Sequence, residues 1–219
     1  MYSPVNTMCD TKAFTSYNAG LTNALTPVAE SKICEIKEKT VITDSGGLQI
    51  NTLGLNNGKS ILLGSMYENR INDPDSMSIG VFANCMEYRR VGSAIAFCVD
   101  IPPSADDSEY EYYYKLREAI EARDQMLSIA QSVCPDTKMG IVLHPRQASD
   151  IEQCFSLNAT LKTTIYAYPA RNTAKDAIDN AYILSFLHSM GVKHVHFLGS
   201  SAVSIIMLLA KAIELDMFD

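Results

Sequence analysis

Ala94-Ile95-Ala96-Phe97-Cys98-Val99-Asp100, the stretch Ser108 to Ser132 and Met139-Gly140-Ile141-Val142-Leu143 together decide the fold. The first segment is a short apolar run of strand length, closed by a carboxylate. The second carries Leu116, Ile120, Met126, Leu127 and Ile129 as an apolar stripe, which predicts a long helix. The third is another apolar strand, ending at His144-Pro145. Strand, long helix and strand predict parallel strands joined by a helical crossover, because a tight turn can join only antiparallel neighbours.

The same pattern continues toward the C-terminus. Ser149 to Leu157 reads as a helix with Ser149 or Asp150 at its cap. Thr163 to Tyr168 is rich in strand-forming residues and stops at Pro169. Lys175 to Met190 is helical and ends at Gly191. His194 to Leu198 is a strand closing at Gly199, Ser201 to Leu215 an apolar helix, and Met217-Phe218-Asp219 the start of one more strand. Toward the N-terminus, Ser76 to Tyr88 predicts a helix leading into the Ala94 strand. Gly54 to Gly58 resembles a hairpin tip between Gln49-Ile50-Asn51 and Ser60-Ile61-Leu62. Val41-Ile42 ends a strand at Asp44-Ser45-Gly46-Gly47, where two glycines let the backbone close tightly against a flat ligand. The fold class is α/β with parallel strands, and an open doubly wound sheet and a closed β/α barrel both satisfy the pattern.

One positional regularity points to function. Asp44, Asp100, His144, Tyr168, Gly199 and Asp219 all fall at or just beyond the carboxyl ends of predicted strands. In both parallel architectures that edge carries the active site. Carboxylates gathered on one rim are costly to desolvate without ligands or partners, so a purely structural role for all three aspartates is disfavoured.

Composition narrows the classes. The chain has 219 residues, 47% of them hydrophobic, enough for a substantial core. No apolar run approaches the roughly 18 residues that cross a bilayer, so no membrane partner is expected. Met1-Tyr2-Ser3-Pro4 lacks the basic start and apolar core of a signal peptide. The six cysteines form no Cys-x-x-Cys pair, which favours a reduced, cytoplasmic setting without a zinc site. A net charge of −7, with Arg70, Arg89, Arg90, Arg146 and Arg171 dispersed, does not point to non-specific nucleic-acid binding. His194 and His196 alternate on one strand and share a side, but no third ligand is spaced to join them in a metal site. Tyr110, Tyr112, Tyr113 and Tyr114, set among acidic residues, read as an exposed helix start.

Thr43-Asp44-Ser45-Gly46-Gly47-Leu48-Gln49 resembles the Asp-Ser-Gly-Gly-aromatic-Gln signature of the tRNA-guanine transglycosylases, which build queuosine and archaeosine. The resemblance continues in order over residues 40–219. Phe97-Cys98-Val99-Asp100-Ile101-Pro102-Pro103 is similar to the family's strand ending in an aspartate before a proline-containing loop. Gly140-Ile141-Val142-Leu143 resembles its Gly-Ile-x-Gln strand, and His196-Phe197-Leu198-Gly199 the segment before its last crossover helix. Met217-Phe218-Asp219 matches the Met-Phe-Asp that holds the family's nucleophile.

The resemblance implies a TIM-type β/α barrel over residues 40–219, with residues 1–39 an N-terminal barrel segment. It implies exchange of guanine in nucleic acid for a 7-deazaguanine base, with tRNA the default substrate and DNA the other. Asp219 would be the nucleophile and Asp44 the general acid/base. Asp100 would grip the base, with Ser45, Gly46, Leu143, Thr164, Leu198 and Gly199 at the same pocket. Retained configuration at the sugar calls for two displacements, hence a carboxylate nucleophile. An ionised Asp100 suits guanine, whose N1–H and 2-amino group are adjacent donors.

The departures are specific. Leu143 replaces the family's glutamine, Thr164-Ile165-Tyr166 its small Gly-Leu-Ala stretch, and Leu48 its aromatic residue. The family's zinc cluster lies beyond the nucleophile, so no cofactor is expected within this chain, and the sequence reads as a fragment ending in the last strand. A homodimer or heterodimer is compatible with the resemblance. The alternative is a non-catalytic accessory barrel that binds a partner transglycosylase or RNA.

Overall fold

The computed structural model describes residues 19–23, 40–45, 75–103, 107–159, 163–169, 174–198 and 203–217. Six short strands and five helices alternate through these residues: β1 (Ala19–Asn23), β2 (Thr40–Asp44), α1 (Asp75–Val91), β3 (Ser93–Phe97), α2 (Glu109–Val133), β4 (Lys138–Val142), α3 (Ile151–Asn158), β5 (Ile165–Pro169), α4 (Ala174–Ser189), β6 (His194–Leu198) and α5 (Val203–Glu214). The chain is therefore mixed α/β with parallel strands, as the alternation predicts. It falls into two compact units, one ending with α2 and the approach to β4, the other formed by most of β4 and the chain beyond it. Among the described residues no helix is long and apolar enough to cross a membrane.

In the first unit β1 pairs with β2 and β2 with β3, all parallel. The β1–β2 register runs from Ala19 opposite Thr40 to Asn23 opposite Asp44, so the carboxyl ends of these two strands are level. A register shift between Val41 and Ile42 separates the Val41–Ser93 pair from Ile42–Ile95. The core lies between α1, α2 and β3. Val81, Cys85 and Tyr88 recur at helical spacing on α1 and meet Ala122, Met126, Leu127 and Ala130 of α2, with Ala96 and Cys98 beneath them.

The two described helices of this unit end and begin for identifiable reasons. Ser108 caps α2 reciprocally: its hydroxyl accepts from the Glu111 N–H at 3.3 Å, and the Glu111 carboxylate accepts from the Ser108 N–H at 2.8 Å. Glu109 and Glu111 also place negative charge at the positive end of the helix dipole. Helix α1 stops at Gly92, whose φ of 70° is left-handed backbone that a side chain would strain.

In the second unit β4 pairs with β5 and β5 with β6, again parallel. Ile141 and Leu143, Tyr166 and Tyr168 all turn to the helix side, where they pack with Ile151, Cys154, Phe155, Ile183 and Leu187. Phe155 forms the aromatic centre, its ring 5.2 Å from Tyr166 and 5.7 Å from Phe186. Asp150 occupies the cap position of α3, one of the two expected caps. Ala148–Asp150 is a single 3-10 turn that runs into α3, and Asp150 makes no side-chain capping bond. Helix α4 closes at Gly191 as predicted, with φ of 76° and the Val192 N–H bonded back to the Leu187 carbonyl.

The predicted hairpin at Gly54–Gly58 lies outside the described residues, as do Gly199 and the Phe218-Asp219 end of the last expected strand. Strand β1 was not singled out by the sequence pattern.

Val195 and Phe197 pack toward the helix-side core of this unit, so His196 between them sits on the opposite face of β6, and it is buried. Burial pulls the His196 pKa down to about 4. An unfolded histidine takes up its proton near pH 6.5, the folded one only near 4, so the unfolded state binds the extra proton between those values. Stability from this source is complete above about pH 6.5 and declines as pH falls toward 4, by roughly 3 kcal/mol. Urea midpoints followed from pH 7 to 4 should decline less steeply for His196→Gln than for the wild type. Equal slopes would contradict the burial.

Candidate active site

Asp44 ends β2, and Ser45 is the next residue. Asp100 follows β3 by three residues. Because β2 and β3 are parallel neighbours, both strand ends reach the same edge of the first unit. There the Ser45 hydroxyl donates a hydrogen bond to the Asp100 carboxylate. Ser45 is fully buried, Asp100 is 6% exposed, and Asp44 beside them is half-buried. A carboxylate this deep is stabilised by a hydroxyl donor aimed at it, and the charge makes that bond stronger than a neutral one.

The strand ends are supported from below. Thr43 Oγ1 and Ser93 Oγ are 2.5 Å apart, tying β2 to the start of β3. Tyr88 of α1 is fully buried and donates its hydroxyl to the Phe97 carbonyl, the last of β3, at 2.8 Å. Burial raises the Tyr88 pKa well above the ordinary phenol value, and the neighbouring Asp44 and Asp100 add to that. The phenol is thus a permanent donor that lies within electrostatic reach of both carboxylates. Val99 N–H points to the Met126 sulfur at 3.3 Å, which fixes the backbone one residue before Asp100.

Chemically, the edge offers one carboxylate held by a hydroxyl and a second that is more open to solvent. The first suits recognition of paired N–H donors on a flat ligand. The second suits proton transfer. Asn23 ends β1, in register with Asp44. Sequence reasoning missed it, since Ala19-Gly20-Leu21-Thr22-Asn23 has a single strongly apolar residue and no alternation.

The remaining expected site residues fall differently. Leu143, in place of a base-binding glutamine, is fully buried in the helix-side core of the second unit and donates its N–H to Ala167 O at 2.7 Å. Strand alternation puts it on the face of Ile141, so it packs against Ile151 and Leu187 instead of lining an open rim. Tyr168 is also a core residue, with its ring 5.0 Å from Phe197 and its hydroxyl toward the Asn180 carbonyl. Thr164 precedes β5, at the amino end of the strand, where it lines a hollow with Thr163, Tyr166, Met190 and Val192. That is the end opposite the strands' carboxyl edge. Leu198 closes β6 at its carboxyl end and is partly exposed, and His144 follows β4, also partly exposed. Gly46, Gly199 and Asp219 lie outside the described residues.

Comparison with protein-family models finds no match, and comparison with characterised proteins finds none either.

Tyr88→Phe should lower the stability of the chain by about 1–2 kcal/mol, because the Phe97 carbonyl loses a donor in a place water does not reach. Guanidinium unfolding of the two proteins measures it, and a loss under about 0.3 kcal/mol would contradict the contact.

Proposed function

We propose that this chain is the catalytic barrel part of a nucleic-acid guanine transglycosylase, which exchanges guanine for a 7-deazaguanine base. The observation that carries the reading is the buried Ser45–Asp100 bond beside Asp44, at the carboxyl ends of adjacent parallel strands. These three residues belong to the two motifs that most closely resemble the family, and the alternating strands and helices are compatible with a closed β/α barrel.

In this reading guanine stacks at the strand edge of the first unit, and the Asp100 carboxylate accepts from N1–H and the 2-amino group. Ser45 keeps that carboxylate oriented by its hydroxyl. Asp219, the Met-Phe-Asp aspartate, attacks C1′ and expels guanine, leaving an ester between its carboxylate and the sugar. Asp44 supplies a proton to the departing base and removes one from the incoming base, which then displaces Asp219 with net retention. A target guanine must leave its stack to reach such an edge. Among the described residues no group of three histidine, cysteine or acidic side chains is placed to hold a metal ion.

The test is base exchange by the full-length protein carrying this chain. Radiolabelled guanine should enter tRNA or double-stranded DNA, and the substrate that accepts it identifies the partner. A denaturation-resistant adduct between protein and nucleic acid should form with the wild type and vanish in Asp219→Asn. Asp100→Asn should bind guanine roughly 10- to 100-fold more weakly by calorimetry, since an amide turns a donor toward a base donor. Absence of exchange and adduct with both nucleic acids, together with retained binding to RNA or a second barrel, would establish the accessory-subunit reading instead.

A further inference from the structure

We propose that Asn84 is a further base-binding residue of the candidate site, the donor that meets the C6 carbonyl of guanine. The proposal rests on the transglycosylase reading and adds to it a residue that lies in none of the motifs.

Asn84 belongs to α1, three residues after Val81 and four before Tyr88, so it shares the inward face of that helix with both. Its side chain is buried, with the residue 2% exposed. Among the described residues, its Nδ2 is a buried side-chain donor that has no hydrogen-bond partner. Such a group weakens the fold, and an apolar side chain of similar shape would remove that cost. Natural chains break the rule at functional sites, where a ligand supplies the missing partner.

The position of Asn84 along α1 says which site that is. Only Gly92 separates α1 from β3, so the helix runs back against the strand and its amino end lies toward the strand's carboxyl end. Tyr88 marks the level. Its side chain leans toward the helix amino end, as helical side chains do, and its hydroxyl meets the Phe97 carbonyl, the last of β3, at 2.8 Å. Asn84 stands one turn further in the same direction, about 6 Å along the helix axis. That is the level just beyond β3, where Asp100 accepts from Ser45. All three residues lie within the first compact unit.

The chemistry of guanine calls for a group of this kind. One edge of the base presents the 2-amino group, N1–H and the C6 carbonyl in order: donor, donor, acceptor. The Asp100 carboxylate answers the two donors, but an ionised carboxylate has no hydrogen to offer the carbonyl. An amide NH₂ has two. Leu143, where the family resemblance places an amide, is apolar and packed in a helix-side core, so it supplies none.

Guanine and 6-thioguanine test the assignment, because the sulfur analogue keeps N1–H and the 2-amino group and weakens chiefly the acceptor. Calorimetry on the wild-type protein should show guanine bound roughly 5- to 50-fold more tightly than 6-thioguanine. Asn84→Leu should bind guanine weaker by roughly the same factor, lose the preference between the two bases, and keep a urea midpoint no lower than that of the wild type. Asn84→Asp, which turns an acceptor toward the carbonyl, should weaken guanine binding at least as much. Equal affinity of the wild type for both bases, or unchanged guanine affinity in Asn84→Leu, would overturn the proposal while leaving the role of Asp100 standing. A lowered urea midpoint with unchanged affinity would assign Asn84 to folding alone. A wild type that binds neither base would overturn the transglycosylase reading itself, and this proposal with it. If Asn84→Leu does not fold, the wild-type ratio and Asn84→Asp decide between these outcomes.

Discussion

The Ser45–Asp100 hydrogen bond is the interaction on which the candidate site depends. It joins the residue after β2 to a carboxylate beyond β3, across strands whose ladder already ends before either residue. Without a donor, a nearly buried Asp100 carries a desolvation cost. With the donor, the carboxylate is held in a fixed orientation. The supports beneath it are of the same kind: Tyr88 on the Phe97 carbonyl, Thr43 with Ser93, and Met126 under Val99. Each fixes backbone near a strand end.

This arrangement explains why two of the motifs matter together. The glycine pair after Ser45 and the proline pair after Asp100 are, taken singly, ordinary loop chemistry. Parallel pairing of β2 with β3 is what brings Ser45 and Asp100 together, because it levels two strand ends separated by more than fifty residues of sequence. A helix-rich connection is required between such strands, and the described part of it is α1, which also carries Tyr88. The same helix thus serves as crossover, core element and support of the strand end.

Much of the architecture was legible because apolar periodicity is a strong signal. The β6 span, the α4 end at Gly191 and the extent of α2 follow directly from the residue pattern. What pattern could not supply was facing. Tyr168 sits next to a strand end, which suggests a rim, yet strand alternation sends it to the same side as Tyr166 and into the aromatic core. Leu143 follows the same logic on β4. Strand β1 was invisible because its side chains are too small and polar to produce alternation. The buried His196 was seen only as one of an alternating pair, since nothing local says which face of a strand is covered.

The decisive measurement is a double-mutant cycle between Ser45 and Asp100. Ser45→Ala, Asp100→Ala and the double variant are unfolded in denaturant, and the free energies are compared with the wild type. The effects should fail to add, with a coupling of at least about 1 kcal/mol, because either change alone strands a buried partner. Effects that add within about 0.3 kcal/mol would mean that the two side chains do not bond, and the site as described would not exist.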